Sequence, residues 1–139
     1  MSHDMNDLRT RIAWIADALI PADPESAMPS ASEAGVLDQH LPRALKERDD
    51  LAPAFFAAVS RLPEQPPRDP LAAIKALGAE ELQRISFLIA GAYFLDEDVN
   101  RRLHYPGQEA VFENPDYDEI MDIVERVTMR GKVYVEAPE

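Results

Sequence analysis

The stretch AEELQRISFLIAGAYFL, residues 79–95, decides the fold that this sequence predicts. Glu80 and Glu81 lie in its first turn, where negative charge favours the positive end of a helix dipole. Its apolar residues fall on two opposite sides of a helix, one stripe being Leu82, Ile85, Ile89 and Ala92 and the other Phe87, Leu88, Phe94 and Leu95. A helix that is apolar on both sides is usually buried on both, so we expect a central helix. The alternative is that a partner covers one side.

The N-terminal third of the sequence predicts two further helices separated by a proline-rich loop. Residues 5–20 repeat apolar side chains at helical spacing, namely Leu8, Ile12, Ile15 and Leu19. Ser30 and Glu33 match a capping box, the reciprocal pairing of a helix-capping Ser with a Glu three residues later. This pattern predicts the start of a short helix near residues 31–41.

Short helices are also predicted between this region and the central helix. Residues 43–62 form one helix, or two that meet near Asp50, because Pro53 is tolerated only in a first helical turn. Asp69 followed by Pro70 is a helix cap followed by proline at the first helical position. The sequence therefore predicts helix starts near Asp50 and at Pro70.

Two more helices are predicted after residue 95. Asp96 caps a short helix to Leu103, which Tyr105-Pro106-Gly107 ends, since proline disfavours helical geometry in the residue before it. Asn114-Pro115 predicts a last helix that Gly131 stops, with apolar residues Ile120, Ile123, Val124 and Val127 at helical spacing. KVYVE, residues 132–136, is β-prone and has no second strand to pair with, so an extended tail is expected.

Together these elements predict one all-α domain over residues 1–139. We expect a compact bundle of about five to seven mostly short helices around the helix at 79–95, followed by the extended tail.

Composition excludes several classes of protein. The net charge of −12 disfavours a nucleic-acid surface, which needs clustered Lys and Arg, and it also disfavours anionic lipid. The chain has no cysteine, which excludes disulfides and thiolate metal sites. The apolar run ISFLIAGAYFL, residues 85–95, is far shorter than the ~20 residues of a membrane span. No direct membrane insertion is expected.

The N-terminal segment bears on localisation. MSHDMNDLRTR carries Asp4 and Asp7 and does not match a secretory signal peptide. The sequence therefore favours the cytoplasm, or the periplasm if a partner carries the export signal.

The sequence contains no motif of a common enzyme class. Five glycines are scattered singly, so no phosphate-binding loop is present, and no zinc-protease motif or nucleophile elbow occurs. His40, at the end of a predicted helix, is interpreted as a C-terminal cap and not as a ligand. The acidic run at 96–98 fits a helix first turn better than a metal site. A site assembled from Tyr93, His104 and carboxylates is the remaining enzymatic alternative.

Three segments of the sequence resemble one protein family. They are ALIPADPES (18–26), GAYFLDEDVNRRLHYPGQ (91–108) and the Arg130-Gly131 pair followed by an apolar tail. These segments, in this order, resemble the gluconate 2-dehydrogenase subunit 3 family, the small subunits of FAD-dependent sugar dehydrogenases. Each motif alone has low specificity, and their combination along almost the whole chain carries the resemblance.

The resemblance implies a subunit that is not itself catalytic. Members of the family accompany a large flavoprotein of the glucose–methanol–choline (GMC) type, often with a cytochrome c subunit, and help it to mature. It follows that FAD is expected in the partner, with no cofactor and no metal in this chain. The usual twin-arginine leader of the family is not found in this sequence, which puts export by this subunit in doubt.

Candidate partner contacts are apolar residues outside the predicted core and the turn after residue 103. We identify Trp14, Phe56, Phe94, Tyr105, Pro106, Gly107 and Gln108. Trp14 lies about 120° from its helix's apolar stripe at ~100° per residue, so it either packs against a second neighbour or contacts a partner. Tyr105 either packs back on the core in a simple turn or contacts the large subunit. A self-contained helical interaction module stays the main alternative to a dehydrogenase subunit.

Overall fold

The described residues, 5–110 and 116–131, form seven α-helices, one short π-helix and no strand in the computed structural model. In chain order they are α1 (Arg9–Leu19), the π-helix (Val36–His40), α2 (Leu41–Glu47), α3 (Ala52–Ser60), α4 (Pro70–Lys75), α5 (Ala79–Tyr93), α6 (Glu97–Arg102) and α7 (Tyr117–Arg130). The predicted all-α fold class is confirmed.

The chain divides into two compact units. Unit 1 is Met1–Gly107 and unit 2 is Gln108–Glu139. The single domain expected over residues 1–139 stays a prediction. The last helix, α7, belongs to unit 2, and all the other helices belong to unit 1.

Helix α5 is the central helix of unit 1, as predicted. It packs against α2, the π-helix, α3 and α4. Its first stripe supplies core residues, with Ile85, Ile89 and Ala92 fully buried. The expectation of burial on both sides is wrong for the second stripe: Leu88 is buried, but Phe87 and Phe94 are 55% and 53% exposed. Periodicity identified two apolar sides of α5, but the other helices of unit 1 fully cover only the side of Ile85, Ile89 and Ala92.

Helices α1, α2 and α3 agree with the predicted pattern. In and before α1, Leu8, Ile12 and Ile15 are buried at the predicted spacing. The region 43–62 forms two helices, because the helical structure is interrupted between Glu47 and Ala52. The two-helix alternative is therefore the correct one.

The segment before α2 differs from the predicted α-helix. The capping box is present: the Ser30 N–H donates to Glu33 Oε2 over 2.8 Å, and the Glu33 N–H donates to Ser30 Oγ over 3.3 Å. The turn it opens ends at Gly35, whose φ of 72° is left-handed. A π-helix follows, in which the Leu41 N–H donates to the Val36 carbonyl. Pro42 has no N–H to extend an α-helical ladder, which accounts for this local winding.

The prediction that His40 caps a helix C-terminus is wrong, because the helical backbone does not end there. The π-helix ends at His40 and continues directly into α2 at Leu41. His40 Nε2 instead lies 3.1 Å from Asp96 Oδ2.

Aspartate caps are the most accurately predicted local features. The Asp69 carboxylate accepts a hydrogen bond from the Ala72 N–H over 3.0 Å, and Asp96 accepts one from the Val99 N–H over 2.9 Å. They fix the starts of α4 and α6. A cap satisfies backbone N–H groups that have no carbonyl partner within the first helical turn.

Unit 2 is described through α7. The predicted start at Asn114-Pro115 lies outside the described residues, as does the tail at 132–136, and Asp116 caps the helix. Gly131, with φ of 72°, ends it as predicted. The helix exposes all its apolar residues, namely Tyr117, Ile120, Met121, Ile123, Val124, Val127 and Met129. Among the described helices, none has both the length and the apolar character of a membrane span.

Candidate partner-binding surfaces

The predicted contact residues of unit 1 fall into two groups by burial. Trp14 is only 9% exposed, and its indole N–H donates to the Pro63 carbonyl over 3.3 Å, so it packs inside the fold. Phe56 is partly buried, with its ring edge-on to that of Phe55 at 5.5 Å. Phe94 and Tyr105 are more than half exposed. Only the second group presents an accessible aromatic surface.

The turn after α6 is held by its backbone, and His104 is the residue that ends the helix. The His104 N–H donates to the Arg101 carbonyl over 3.1 Å, and the Tyr105 N–H donates to the Asn100 carbonyl over 2.9 Å. This pair of bonds is a Schellman motif, in which the residue after the cap is left-handed and usually glycine. Here that residue is His104, with φ of 55°.

The prediction that Pro106 and Gly107 end α6 is therefore wrong, since the helix has already ended two residues earlier. The Schellman motif turns the Tyr105 side chain outward, where it is 55% exposed. The simple-turn interpretation, in which Tyr105 packs back on the core, is also wrong. Sequence reasoning missed His104 because glycine, which is absent there, is the usual signal for such an ending. Histidine is among the residues enriched at positive φ, and this was the only available hint.

An open groove of about 640 Å³ lies along α6 and this turn. We call it the α6 groove, and its lining consists of Glu97, Asn100, Arg101, His104, Tyr105, Pro106 and Gly107. Three of the predicted contact residues, Tyr105, Pro106 and Gly107, therefore come together here. Gln108, the first residue of unit 2, is exposed. The α6 residues of the lining were not predicted.

Tyr93 and His104, both considered for an enzymatic site, differ in burial. Tyr93 is 4% exposed, and its hydroxyl donates to the Pro29 carbonyl over 2.7 Å. Burial raises the pKa of Tyr93, and the nearby Asp96 carboxylate adds to this. His104 is exposed on the α6 groove. The hydroxyl of Tyr93 therefore has a structural hydrogen bond in a buried position.

Asp96 joins two elements of unit 1. One carboxylate oxygen caps α6 and the other faces His40 Nε2 at 3.1 Å. Burial alone would raise the pKa of Asp96, but hydrogen bonds from the Val99 N–H and His40 outweigh it, and the pKa is lowered. The His40 and Asp96 side chains are 14% and 22% exposed, which suits a structural contact between α6 and the π-helix.

A second groove, of about 240 Å³, lies on the surface between α2 and α5, which pack against each other. We call it the α2/α5 groove. Its apolar lining comes from Ala44, Phe87, Leu88, Gly91 and Leu95. Arg43, Glu47 and Arg48 line it as well, and the Arg48 guanidinium lies 5.4 Å from the centre of the Phe87 ring.

Within residues 5–110 and 116–131, no group of three or more His, Asp or Glu side chains could hold a metal ion. Buried polar or charged residues are likewise absent from the described part of the chain. Comparison with protein-family models, curated proteins and solved structures finds no match for this sequence.

Proposed function

We propose that this chain is the non-catalytic small subunit of an FAD-dependent dehydrogenase, which binds and stabilises a large GMC-type flavoprotein. The flavoprotein would carry the FAD and oxidise a sugar or polyol. The sequence support is the resemblance carried by residues 18–26, 91–108 and Arg130-Gly131. Of these, residues 91–108 contain α6 and all the residues that line its groove.

The observation that carries the proposal is the exposed apolar surface around α6. Of the six large apolar side chains exposed in the described part of unit 1, three flank α6, namely Phe94, Leu103 and Tyr105, while Phe87 and Leu95 line the α2/α5 groove and Leu71 lies on α4. Phe94 precedes α6, while Leu103 and Tyr105 follow it. Clustered exposed apolar groups mark interaction surfaces, and aromatic side chains are frequent anchors of protein interfaces. This is a surface for a protein partner.

The left-handed His104 supports the same surface. A non-glycine residue at positive φ is strained by roughly 1–3 kcal/mol and persists where the surroundings hold it. Here His104 directly precedes Tyr105, whose side chain is 55% exposed and lines the α6 groove. Such strain is frequent at ligand clamps and binding sites.

The first test is co-expression of this chain, carrying an affinity tag, with a GMC-type flavoprotein from the same genome. We expect a yellow complex that contains FAD and reduces an artificial dye in the presence of a sugar or polyol. Omitting this chain should lower the yield of folded flavoprotein. If the tagged chain elutes alone and the flavoprotein folds equally well without it, the proposal is wrong. The interaction-module alternative would then be preferred.

Tyr105→Ala tests the surface itself. We expect the complex to weaken about 10-fold or more, since a central aromatic anchor contributes at least ~1.4 kcal/mol. The melting temperature of the isolated chain should hardly change, because the side chain is more than half exposed. Binding can be measured by surface plasmon resonance.

Leu71→Ala is the matched control for Tyr105→Ala. Leu71 is a large exposed apolar residue on α4, outside the lining of the α6 groove. Its removal should leave the affinity unchanged. Equal losses for the two variants, or a Tyr105→Ala variant that melts early and binds normally, would remove Tyr105 from the interface.

A further inference from the structure

Two residues of unit 1 share an unusual backbone conformation. Among the described residues, only Ala27 and His104 are non-glycine residues with positive φ, at 54° and 55°. Such residues persist where their surroundings hold them, and they are frequent at binding sites. His104 ends α6 beside the α6 groove, and Ala27 lies in the loop between α1 and the π-helix. The two positions are far apart in sequence but belong to segments that the fold joins.

Arg102 joins these two segments. Its Nη1 atom donates to the Ala27 carbonyl over 2.6 Å, and its Nε atom donates to Asp98 Oδ2 over 2.8 Å. The guanidinium is thus held on α6 by Asp98 while it binds the carbonyl of the residue with positive φ. Arg101 binds the other oxygen of the same carboxylate and has no hydrogen bond to the loop within the described residues. Arg102 is therefore the arginine that fixes the loop beside α6.

The loop that this arginine binds is exposed and yet has a defined structure. It comprises residues 21–28, here called the 21–28 loop, and all but the last of them are exposed. Asp23 and Met28 pair through two backbone hydrogen bonds of 2.9 Å. The Asp23 carboxylate also accepts hydrogen bonds from the Glu25 N–H and the Ser26 hydroxyl. A loop that is ordered before binding loses little further conformational entropy when a partner covers it.

The two carboxylates of the 21–28 loop differ in what they bind. The Asp23 carboxylate is occupied by groups of the loop itself. The Glu25 carboxylate has no hydrogen bond or ion pair within the described residues, and the residue is exposed. A basic side chain of a partner can therefore bind Glu25 without breaking a contact of this chain.

The α6 groove alone is small for a stable protein interface. Helix α6 has six residues and so is about 9 Å long, whereas a typical interface covers ~800 Å² on each partner. A partner that covers α6 therefore also reaches the elements beside it. Glu97 and Arg101 line the groove, and Asp98 and Arg102 follow each of them by one residue, about 100° around the helix. The 21–28 loop is thus the exposed element on the next side of α6.

We propose that the 21–28 loop is a second part of the surface that binds the flavoprotein, that Arg102 positions it beside α6, and that Glu25 faces a basic side chain of the partner. This inference rests on the proposed function and extends its interface. The partner covers α6, with the groove on one side of the helix and the loop on the next. Arg102 is a positioning residue, because it acts on the partner through the loop.

Hydrogen exchange of the isolated chain tests the positioning role without the flavoprotein. Arg102→Met removes the bond to the Ala27 carbonyl and keeps an unbranched side chain. It should raise the exchange rates of the Asp23 and Met28 amides about 5-fold, the effect of losing one hydrogen bond. Arg101→Met is the matched control, since it removes the other arginine of the same carboxylate, and it should leave these rates unchanged. Equal rates in the two variants would show that Arg102 does not position the loop.

Glu25→Lys tests the contact with the partner. It reverses one charge and keeps the hydrogen bonds of the loop, because only the backbone N–H of Glu25 takes part in them. The dissociation constant of the flavoprotein complex, measured by surface plasmon resonance, should rise about 10-fold or more, since the change places like charges together. Glu64→Lys makes the same change at an exposed residue between α3 and α4 and should have no effect. Equal losses for the two variants would overturn the contact.

A double variant shows whether Arg102 acts through the loop. Arg102→Met alone should also weaken the complex, because the loop is no longer held beside α6. Adding Glu25→Lys should then cost less than it does in the wild type, since contacting groups that depend on each other give non-additive losses. Additive losses would overturn the positioning role.

The same measurements separate this inference from the proposed function on which it rests. If the wild-type chain does not bind the flavoprotein, the proposed function fails and this inference fails with it. If the wild-type complex forms and tolerates both Glu25→Lys and Arg102→Met, while Tyr105→Ala weakens it, the proposed function stands and only the assignment of the 21–28 loop is wrong.

Discussion

Helices α5 and α7 are nearly equal in length, with 15 and 14 residues, and both repeat apolar residues at helical spacing. The core of unit 1 buries Ile85, Ile89 and Ala92 of α5, whereas α7 has no buried residue. The same sequence pattern therefore leads to two outcomes. Periodicity defines which side of a helix is apolar, and other elements of the molecule decide whether that side is covered.

Helix α5 contains both outcomes in one element. Its first stripe faces neighbouring helices of unit 1, while Phe87 and Phe94 on its second stripe are exposed like the apolar face of α7. The second side of α5 thus resembles α7 more than it resembles the first side. Exposed apolar residues such as Phe94 are explained if they bind another polypeptide, as the proposed function requires.

The largest difference between the two helices should appear on removing one isoleucine from each. Ile89→Ala in α5 deletes a fully buried side chain and should cost about 2–5 kcal/mol, including the cavity it leaves. Ile123→Ala in α7 should change the stability of the monomer by less than about 0.5 kcal/mol, because that side chain is more than half exposed. Chemical denaturation followed by circular dichroism measures both.

This comparison fails if the two variants lose similar stability. A large loss for Ile123→Ala in the monomer would mean that its side chain is packed in solution. A small loss for Ile89→Ala would mean that α5 is not the centre of the core.

The sequence was sufficient wherever a local interaction determines the structure. The starts of α4 and α6 were predicted because an aspartate side chain satisfies free N–H groups within one turn, independently of the rest of the fold. A helix start near Asp50 was predicted because Pro53 is tolerated only in a first helical turn, whereas the break between α2 and α3 was one of two alternatives. These rules involve residues three or four positions apart, which the sequence displays directly.

The sequence was insufficient where the outcome depends on distant residues. The contact of His40 with Asp96 joins positions 56 apart, and no local pattern of either residue indicates it. Trp14 was ambiguous for the same reason, since its hydrogen bond acceptor is the carbonyl of Pro63. For the candidate site, Tyr105, Pro106 and Gly107 were identified, but the α6 residues that complete the groove were not.

An intermediate effect is expected from the two aspartate caps. Asp96→Ala removes both the cap of α6 and the partner of His40 and should destabilise unit 1 by about 1–2 kcal/mol. Asp116→Ala removes a cap that serves only α7, so it should reduce helix content with no change in the main unfolding transition. Thermal unfolding followed by circular dichroism and by Trp14 fluorescence distinguishes the two. Equal shifts of the main transition would contradict the difference between the two caps.

The pH dependence of the Asp96 effect has a definite sign. The pKa of Asp96 is lowered in the folded protein, so its carboxylate stabilises the fold at pH values above about 3.9, the ordinary pKa of aspartate. This contribution is lost as the pH falls through the lower, folded pKa. Asp96→Asn keeps a cap acceptor without the charge, so its stability should fall less steeply with acidification than that of the wild type. Parallel pH profiles would show that the carboxylate charge contributes nothing.

The smallest effect is expected at His104, where the packed helices of unit 1 end. Glycine adopts a φ of 55° without strain, so His104→Gly should stabilise unit 1 by about 0.5–1 kcal/mol. His104→Ala is the matched control, because it removes the imidazole but keeps a Cβ atom, and it should give no such gain. If alanine stabilises as much as glycine, the imidazole and not the backbone was unfavourable. If glycine also leaves flavoprotein binding unchanged, the strain at His104 serves only to end α6, and Tyr105 needs no strained support to reach its partner.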